Sequence, residues 1–291
     1  MRIKLILLLI ITLLSNHIFA SEKLRVITFN IWGLKGFLLK NPKRIAYIED
    51  VINHSGADIV GIQESFNEHI TYRLRHLSNY PYSIQGPGRL IYQFQKSGLL
   101  ILSKYPIEKR YIHRFRACAD LSCFEPKGTV MAAITLPSGT KLNVFNSHFA
   151  SGSVDPTRVK QAQELLNMIE KYSSDTLAIS VGDYNSHTNS TPIQKMQTQM
   201  VDSYMTYVEQ HPELSKTEKE GLTWDGRNNP NTGGNSRSGR KQNLRFDYIF
   251  TKNSYADQIQ VERSKVVFNT PSPVGFLSDH YGVQTDFIIN P

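Results

Sequence analysis

Five short polar clusters, each set in or beside an apolar run, constrain this chain more than any other feature. They are Phe29-Asn30, Gln63-Glu64, Gly182-Asp183-Tyr184-Asn185, Phe246-Asp247-Tyr248 and Ser278-Asp279-His280. Carboxylates and amides at strand ends are costly to bury unless they are paired or bind a cation. Their spread along nearly the whole chain predicts a single fold that gathers them into one site. An oxygen-rich donor set with a histidine suits a hard divalent cation and phosphate-ester chemistry.

The runs around these clusters read as mixed helix and strand. Leu24 to Trp32 alternates as a strand does, and Asn41-Pro42 reads as a helix N-cap and first helical position. Ile45, Ile48 and Ile52 then give one apolar face up to Gly56. Asp58 to Gln63 predicts a buried strand, Glu68 to Leu77 a helix, and Gly98 to Leu102 and Val130 to Leu136 further strands. Pro137-Ser138-Gly139-Thr140 predicts the turn of a hairpin whose second arm is Lys141 to Phe149. Asp155-Pro156 opens a helix with Val159, Ala162, Leu166 and Ile169 on one face, followed by a strand over Leu177 to Val181. Arg245 to Thr251, Ile259 to Phe268 and Tyr281 to Ile289 predict a strand-rich end. So many hairpins favour sheet packed on sheet with helices outside, and the polar clusters fall where such a sandwich places its binding loops.

The 291 residues, 40% hydrophobic and 20% charged, suffice for one large core, and no linker divides the chain. Residues 1–20 read differently from the rest. Arg2 and Lys4, an apolar run from Leu5 to Leu14 and Ile18-Phe19-Ala20 make a secretory signal with cleavage expected after Ala20. That leaves one domain over 21–291, secreted or periplasmic, with no transmembrane segment and no cysteine placed for a lipid anchor. In an exported chain, Cys118 and Cys123 are expected to form a disulfide, since two thiols without neighbouring histidines make half a zinc site. The net charge of +8 favours anionic partners. The densest basic stretch, Arg227 to Arg245, includes Arg237, Arg240 and Lys241 and reads as a mobile, solvated loop with phosphate contact as the alternative.

Taken singly, each cluster has an ordinary structural reading. Asp183 and Asn185, two apart after a glycine, are in most chains a strand-end turn, and Ser278-Asp279-His280 an Asx-type turn. A lone histidine such as His148 is by default a satisfied core residue. Asn30, Glu64 and Asp247 are harder to dismiss, because amides and carboxylates among Val, Ile, Phe and Tyr need partners.

In this order, with Asp247-Tyr248-Ile249-Phe250 completing the fourth cluster, the motifs resemble those of the endonuclease/exonuclease/phosphatase superfamily over nearly all of 21–291. Within it the chain is most similar to the secreted bacterial neutral sphingomyelinases. The similar stretches are Ser97 to Ile107, Lys127-Gly128, Asn146-Ser147-His148-Phe149, Arg158 with Gln161, and Thr223-Trp224-Asp225. The resemblance implies an α+β, four-layer αββα sandwich with the site at one end of two sheets. It implies that Glu64 binds Mg²⁺ or Mn²⁺, with Asn30 helping and Asp279 beside the metal. It makes His280 a general base oriented by Asp247, with Asp183 positioning the water or sharing the base role. Asn185 and His148 would hold phosphate oxygens, and Lys127 would add a substrate contact.

The implied activity is phospholipase C-type hydrolysis of sphingomyelin or a related choline phospholipid at a membrane surface, by a monomer, giving phosphocholine and ceramide. A DNase-like nuclease with a nucleic-acid partner is the alternative. A binding protein on a retired version of the fold would be expected to have lost some of Asn30, Glu64, Asp183, Asn185, Asp247 and His280. The chain departs from the family pattern at Tyr184 and Ser147, and lacks the long aromatic hairpin with which some relatives enter membranes. Gly36-Phe37-Leu38-Leu39 and the loop from Phe268 to Phe276 are candidate substitutes.

Overall fold

Apolar alternation from Leu24 onward builds the first strand of a computed structural model that describes residues 21–34, 43–77, 79–90, 95–119, 123–232 and 242–290. The signal segment, Asn41-Pro42, Gly36 to Leu39, Arg237, Arg240 and Lys241 lie outside the described residues. In chain order the elements begin with β1 (Glu22–Asn30), α1 (Arg44–Asn53), β2 (Ile59–Gln63), α2 (Glu68–Arg75), β3 (Tyr82–Gln85) and β4 (Leu100–Ser103). Then come β5 (Ile107–Arg114), β6 (Gly128–Thr135), β7 (Lys141–His148), α3 (Asp155–Tyr172), β8 (Leu177–Asp183), α4 (Thr191–Gln197) and β9 (Met200–Asp202). The rest are α5 (Ser203–Gln210), α6 (Lys216–Glu220), β10 (Trp224–Asp225), β11 (Asn243–Leu244), β12 (Asp247–Lys252), β13 (Ile259–Val267) and β14 (Gly282–Ile289).

Two mixed six-stranded sheets result, ordered β13-β14-β1-β2-β4-β3 and β5-β6-β7-β8-β12-β9. Their facing surfaces share a core that includes Leu24, Val26, Ile59, Ile101, Val144, Ile179, Ile249 and Phe287. On the outer face of the first sheet, Ile27, Phe29 and Ile62 pack with Ile45, Ile48 and Ile52 of α1 and Ile70 and Leu74 of α2. On the outer face of the second, Phe145, Tyr248 and Phe250 pack with Leu165, Leu166 and Ile169 of α3 and Ile193 of α4. The layers are therefore helix, sheet, sheet, helix, as the strand pattern and the resemblance imply.

Side chains alternate between the two faces of a strand, and this parity delivers the polar residues to one place. Leu24 and Val26 face the inter-sheet core, so Thr28 and Asn30 follow them inward at the end of β1. By the same count His148 follows Leu142 and Val144, Asp183 follows Ile179 and Val181, and Asp247 shares a face with Ile249. Pairing then sets these ends level. Asn30 lies opposite Gln63 in the parallel β1–β2 pair, and His148 opposite Asp183 in the parallel β7–β8 pair. Asp183 is also opposite Asp247 across β8–β12.

The β6–β7 hairpin turns at Pro137 to Thr140 as read from the sequence, with Leu136 N–H on the Thr140 carbonyl at 2.9 Å. Cys118 and Cys123 are bridged. Several elements carry no sequence signal noted above. Edge strand β5 (IEKRYIHR) is half-buried or exposed along its length and so shows no apolar alternation. Helix α5 depends on a cap one residue upstream, where Asp202 Oδ1 accepts the N–H groups of Tyr204 and Met205 at 3.0 and 3.3 Å.

One reading needs correction. Arg245 is not part of a solvated basic loop. It is 2% exposed and pairs with Asp202. Of the candidate membrane elements, the loop from Phe268 to Phe276 is anchored by half-buried Phe268, Val274 and Phe276, with exposed residues between them. The Phe268 ring lies tilted 5.0 Å from that of Phe29, Phe276 lies 5.8 Å from Tyr281, and Val274 packs against the α1–α2 core.

Candidate active site

The strand ends bring Asn30, Glu64, His148, Asp183, Asp247 and His280 together, and Lys127, Asn185 and Asp279 border them. Asn30 links two carboxylates. Its Nδ2 donates to Glu64 Oε1 at 3.2 Å and Asp183 Oδ2 at 2.9 Å, while its Oδ1 accepts the Trp32 N–H at 3.0 Å. Glu64 follows Gln63, whose side chain faces inward, so strand parity alone would aim Glu64 at the outer layer. A left-handed backbone (φ 59°) turns it back toward Asn30. Gly98 makes room for this turn: it is itself left-handed (φ 67°), and a Cβ there would sit 2.9 Å from Glu64 Cα.

Asp183 is the hub. Its Oδ1 accepts the Asn185 N–H at 2.8 Å, and its Oδ2 lies 3.4 Å from His148 Nε2 and 3.7 Å from His280 Nε2. Asn185 is left-handed too (φ 47°), and its Nδ2 donates to the Phe149 carbonyl at 3.1 Å. His280 Nδ1 lies 2.8 Å from Asp247 Oδ2, which fixes the ring and leaves Nε2 turned toward Asp183. Lys127, 5% exposed, sets its Nζ 3.1 Å from His148 Nε2 and 3.1 Å from Glu125.

Burial and mutual charge shift these groups. Burial raises the Glu64 pKa, although Lys127, His280 and Asn30 pull it down. Burial raises Asp183 to about 6 and Asp279 to about 7, against the lowering effect of His280 on both. Burial alone would depress His280, but Asp247 and Asp183 outweigh it and hold that imidazole well above its usual value. His148 moves the other way: burial, then Lys127 and His280, keep it well below, hence neutral. One imidazole favouring its proton beside one refusing it is the division of labour expected of an acid–base site.

Glu64 Oε2 and Asp247 Oδ1 are buried and take no hydrogen bond from the described residues. The orphaned Glu64 oxygen, in a carboxylate that contacts Asn30 and interacts electrostatically with Asp279, belongs to an oxygen set that fits a hard divalent cation. Asp183, Asp247 and His280 also qualify as a candidate metal-binding triad, with one ligand atom from each lying within 4.8 Å of the others.

Arg44 lies outside the sequence motifs, and Asn146 stands in one of them without an assigned role. Arg44, 4% exposed, donates to the carbonyls of Ile31, Trp32 and Leu277, so it joins the end of β1 to the segment bearing Asp279 and His280. Asn146 spans the sheets behind the site, donating to the carbonyls of Ile62 and Leu100 at 2.9 and 3.0 Å and accepting from Gln63 at 2.7 Å. Arg44 gave no signal because it occupies a helix start, where arginine is ordinarily solvated. The signal for Asn146 was an amide at an inward-facing position of an apolar strand.

Known proteins share the family pattern and the fold of this chain. The Endonuclease/Exonuclease/phosphatase family pattern matches residues 27–280. An inositol phosphosphingolipids phospholipase C of Schizosaccharomyces pombe is 25% identical over 91% of this chain and 68% of its own length. A phospholipase C of Staphylococcus aureus is 25% identical over 97% of this chain and 91% of its own. Among solved structures, a Staphylococcus aureus beta toxin mutant with bound magnesium ions superposes with a TM-score of 0.71 at 19% identity, covering 91% of this chain and 99% of that one. D. rerio TDP2 complexed with single strand DNA product superposes at 0.72 and 20% identity, covering 91% and 98%.

Proposed function

As a member of the endonuclease/exonuclease/phosphatase family the chain is a phosphodiester hydrolase, and we propose that it cleaves sphingomyelin or a related choline phospholipid to phosphocholine and ceramide. The observation that carries the chemistry is the His280–Asp247 pair at 2.8 Å facing Asp183, with the Asn30–Glu64 contact beside it. The lipid reading draws on the likeness to two phospholipases C over 91% and 97% of this chain. Burial of Arg245 weighs against the nuclease reading, since it removes a cation from the basic stretch that would have met phosphates.

Asp247 holds the Nδ1 proton of His280, so in the neutral ring Nε2 is the atom that takes a proton from attacking water, and because Asp247 and Asp183 raise this imidazole that neutral form gains population as pH rises. Asp183, 3.7 Å from that nitrogen, accepts the water's second hydrogen bond and aligns it. Neutral His148 and the half-buried Asn185 amide bind phosphate oxygens as uncharged groups, and Lys127 adds the positive charge. We assign the cation, Mg²⁺ or Mn²⁺, to Glu64 with Asp279 and Asn30, because the other triad would use His280 Nε2, the nitrogen that serves as the base. Bound there, the cation would supply charge neutralisation for the anionic ester and the departing oxygen.

Mature protein is to be assayed on liposomes of sphingomyelin, on phosphatidylcholine and on plasmid DNA, each with and without a chelator. Chelator-sensitive phosphocholine release from sphingomyelin is expected. Cleavage of DNA alone would replace this reading with the nuclease. We also infer export, from the signal-like residues 1–20 and the Cys118–Cys123 bridge. Terminal sequencing of protein recovered outside the cytoplasm should begin at Ser21; an intact Met1 overturns this.

A further inference from the structure

His280 and Asp247 come from different sheets. Asp247 opens β12 in the second sheet, and His280 precedes β14 in the first. No ladder of backbone hydrogen bonds therefore fixes their separation, and 2.8 Å between side chains needs a cross-tie.

Thr223 supplies it. It belongs to neither large sheet, is fully buried, and spends its polar groups on the two segments concerned. Its Oγ1 accepts the backbone N–H of Phe246 at 3.0 Å and of Asp247 at 3.2 Å. Its carbonyl accepts the N–H of Tyr281 at 2.8 Å, and its own N–H donates to the Leu244 carbonyl at 3.1 Å. The residues that follow extend the tie. Asp225 closes a turn by accepting the N–H groups of Arg227 and Asn228 at 3.1 and 3.3 Å. That turn presents Asn229, 1% exposed, whose Nδ2 donates to the carbonyls of Ser278 at 2.9 Å and Asp279 at 3.3 Å. Between them the Trp224 ring stands edge-on to the His280 imidazole, 5.0 Å between centroids.

We propose that residues 223–231 form a brace that sets the His280–Asp247 geometry, with Thr223 as its principal positioning residue. The inference rests on the reading of His280 as the base, but not on the identity of the substrate. Thr223→Val keeps the shape and removes the acceptor of the buried Asp247 N–H and the half-buried Phe246 N–H; Thr223→Ser restores it. Small misplacements of a catalytic group cost up to roughly 10²-fold.

Thr223→Val is therefore expected to lower kcat about 10- to 100-fold with KM changed less than about threefold, and Thr223→Ser to recover most of the loss. A readout independent of turnover is the downfield NMR resonance of the His280 Nδ1 proton in metal-free protein, expected to broaden or vanish in Thr223→Val and persist in Thr223→Ser. Wild-type kcat in Thr223→Val, or an unchanged resonance, overturns the proposal. If circular dichroism shows that Thr223→Val does not fold, Asn229→Ala carries the same two measurements with the same expected outcomes. Should the wild type fail to cleave sphingomyelin, the substrate reading falls while the resonance still decides the brace.

Discussion

Arg245 grips Asp202 through both terminal nitrogens, at 2.6 and 3.0 Å, with the two side chains no more than 2% exposed. The guanidinium also lies 4.6 Å from the Tyr248 ring centroid and 5.2 Å from that of Tyr204. Asp202 caps α5 at the same time, so a single ion pair joins the last strand of the second sheet to a helix and to β12. Removing one partner strands a buried charge. Asp202→Ala is expected to cost about 3–5 kcal/mol, read as a shift in the urea midpoint with unchanged slope. A shift below about 1 kcal/mol would mean that water reaches Arg245 and compensates it.

The same pair shows where sequence reading stops. Arg245 shares its neighbourhood in the chain with Arg227, and composition alone assigns both to solvent; only pairing across the fold separates the buried one. Residues whose position follows from strand parity were legible. Asn30, His148, Asp183 and Asp247 each continue the inward face of an apolar strand, so their convergence follows from the sequence pattern. Glu64 was legible as an odd carboxylate but not in its direction, since that depends on a left-handed backbone. Thr223 and Asn229 act through backbone groups of distant segments, which leaves no periodic trace.

Substitution of His280 tests the proton-transfer role. His280→Ala is expected to lower kcat by roughly 10²–10⁴, and Asp247→Asn to reproduce most of that loss, because an amide neither fixes the Nδ1 proton nor supports the imidazolium. The two changes should be far from additive in the double variant, as they act on one unit. Independent, multiplying losses in steady-state kinetics would show that Asp247 has a separate task.

Cation binding should depend on pH in a definite direction. Asp183 and Asp279 are raised to about 6 and about 7, so at pH 5 both are largely protonated and a cation must displace protons to bind. Without cation, the folded state holds more protons at these carboxyls than the unfolded chain does. Their contribution to stability therefore falls as pH rises from the ordinary carboxylate range, near 4, through about 7. His280, raised above the usual imidazole value, adds a loss of the same sign at higher pH, while His148 opposes it below that value. Saturating Mg²⁺ is thus expected to raise Tm more at pH 8 than at pH 5, by several degrees. Equal increments at the two pH values, measured by calorimetry, would place the cation away from these carboxyls.

Asn146 provides a last test, of the link between the core and the site. It is fully buried, donates to Ile62 and Leu100 in the first sheet and accepts from Gln63, although it is itself part of β7 in the second. Gln63 immediately precedes Glu64, so this amide anchors the point where the chain turns left-handed. Asn146→Ala leaves the Gln63 amide and two strand carbonyls short of partners, at about 1–3 kcal/mol for each group left unsatisfied. Because the affected carbonyls border the cation side of the site, Mg²⁺ affinity should weaken severalfold. The Nδ1 resonance of His280, held by the separate tie through Thr223, should be retained. Titration calorimetry and NMR on the same sample separate the two effects; loss of the resonance together with Mg²⁺ affinity would show that the two halves of the site are held by one framework.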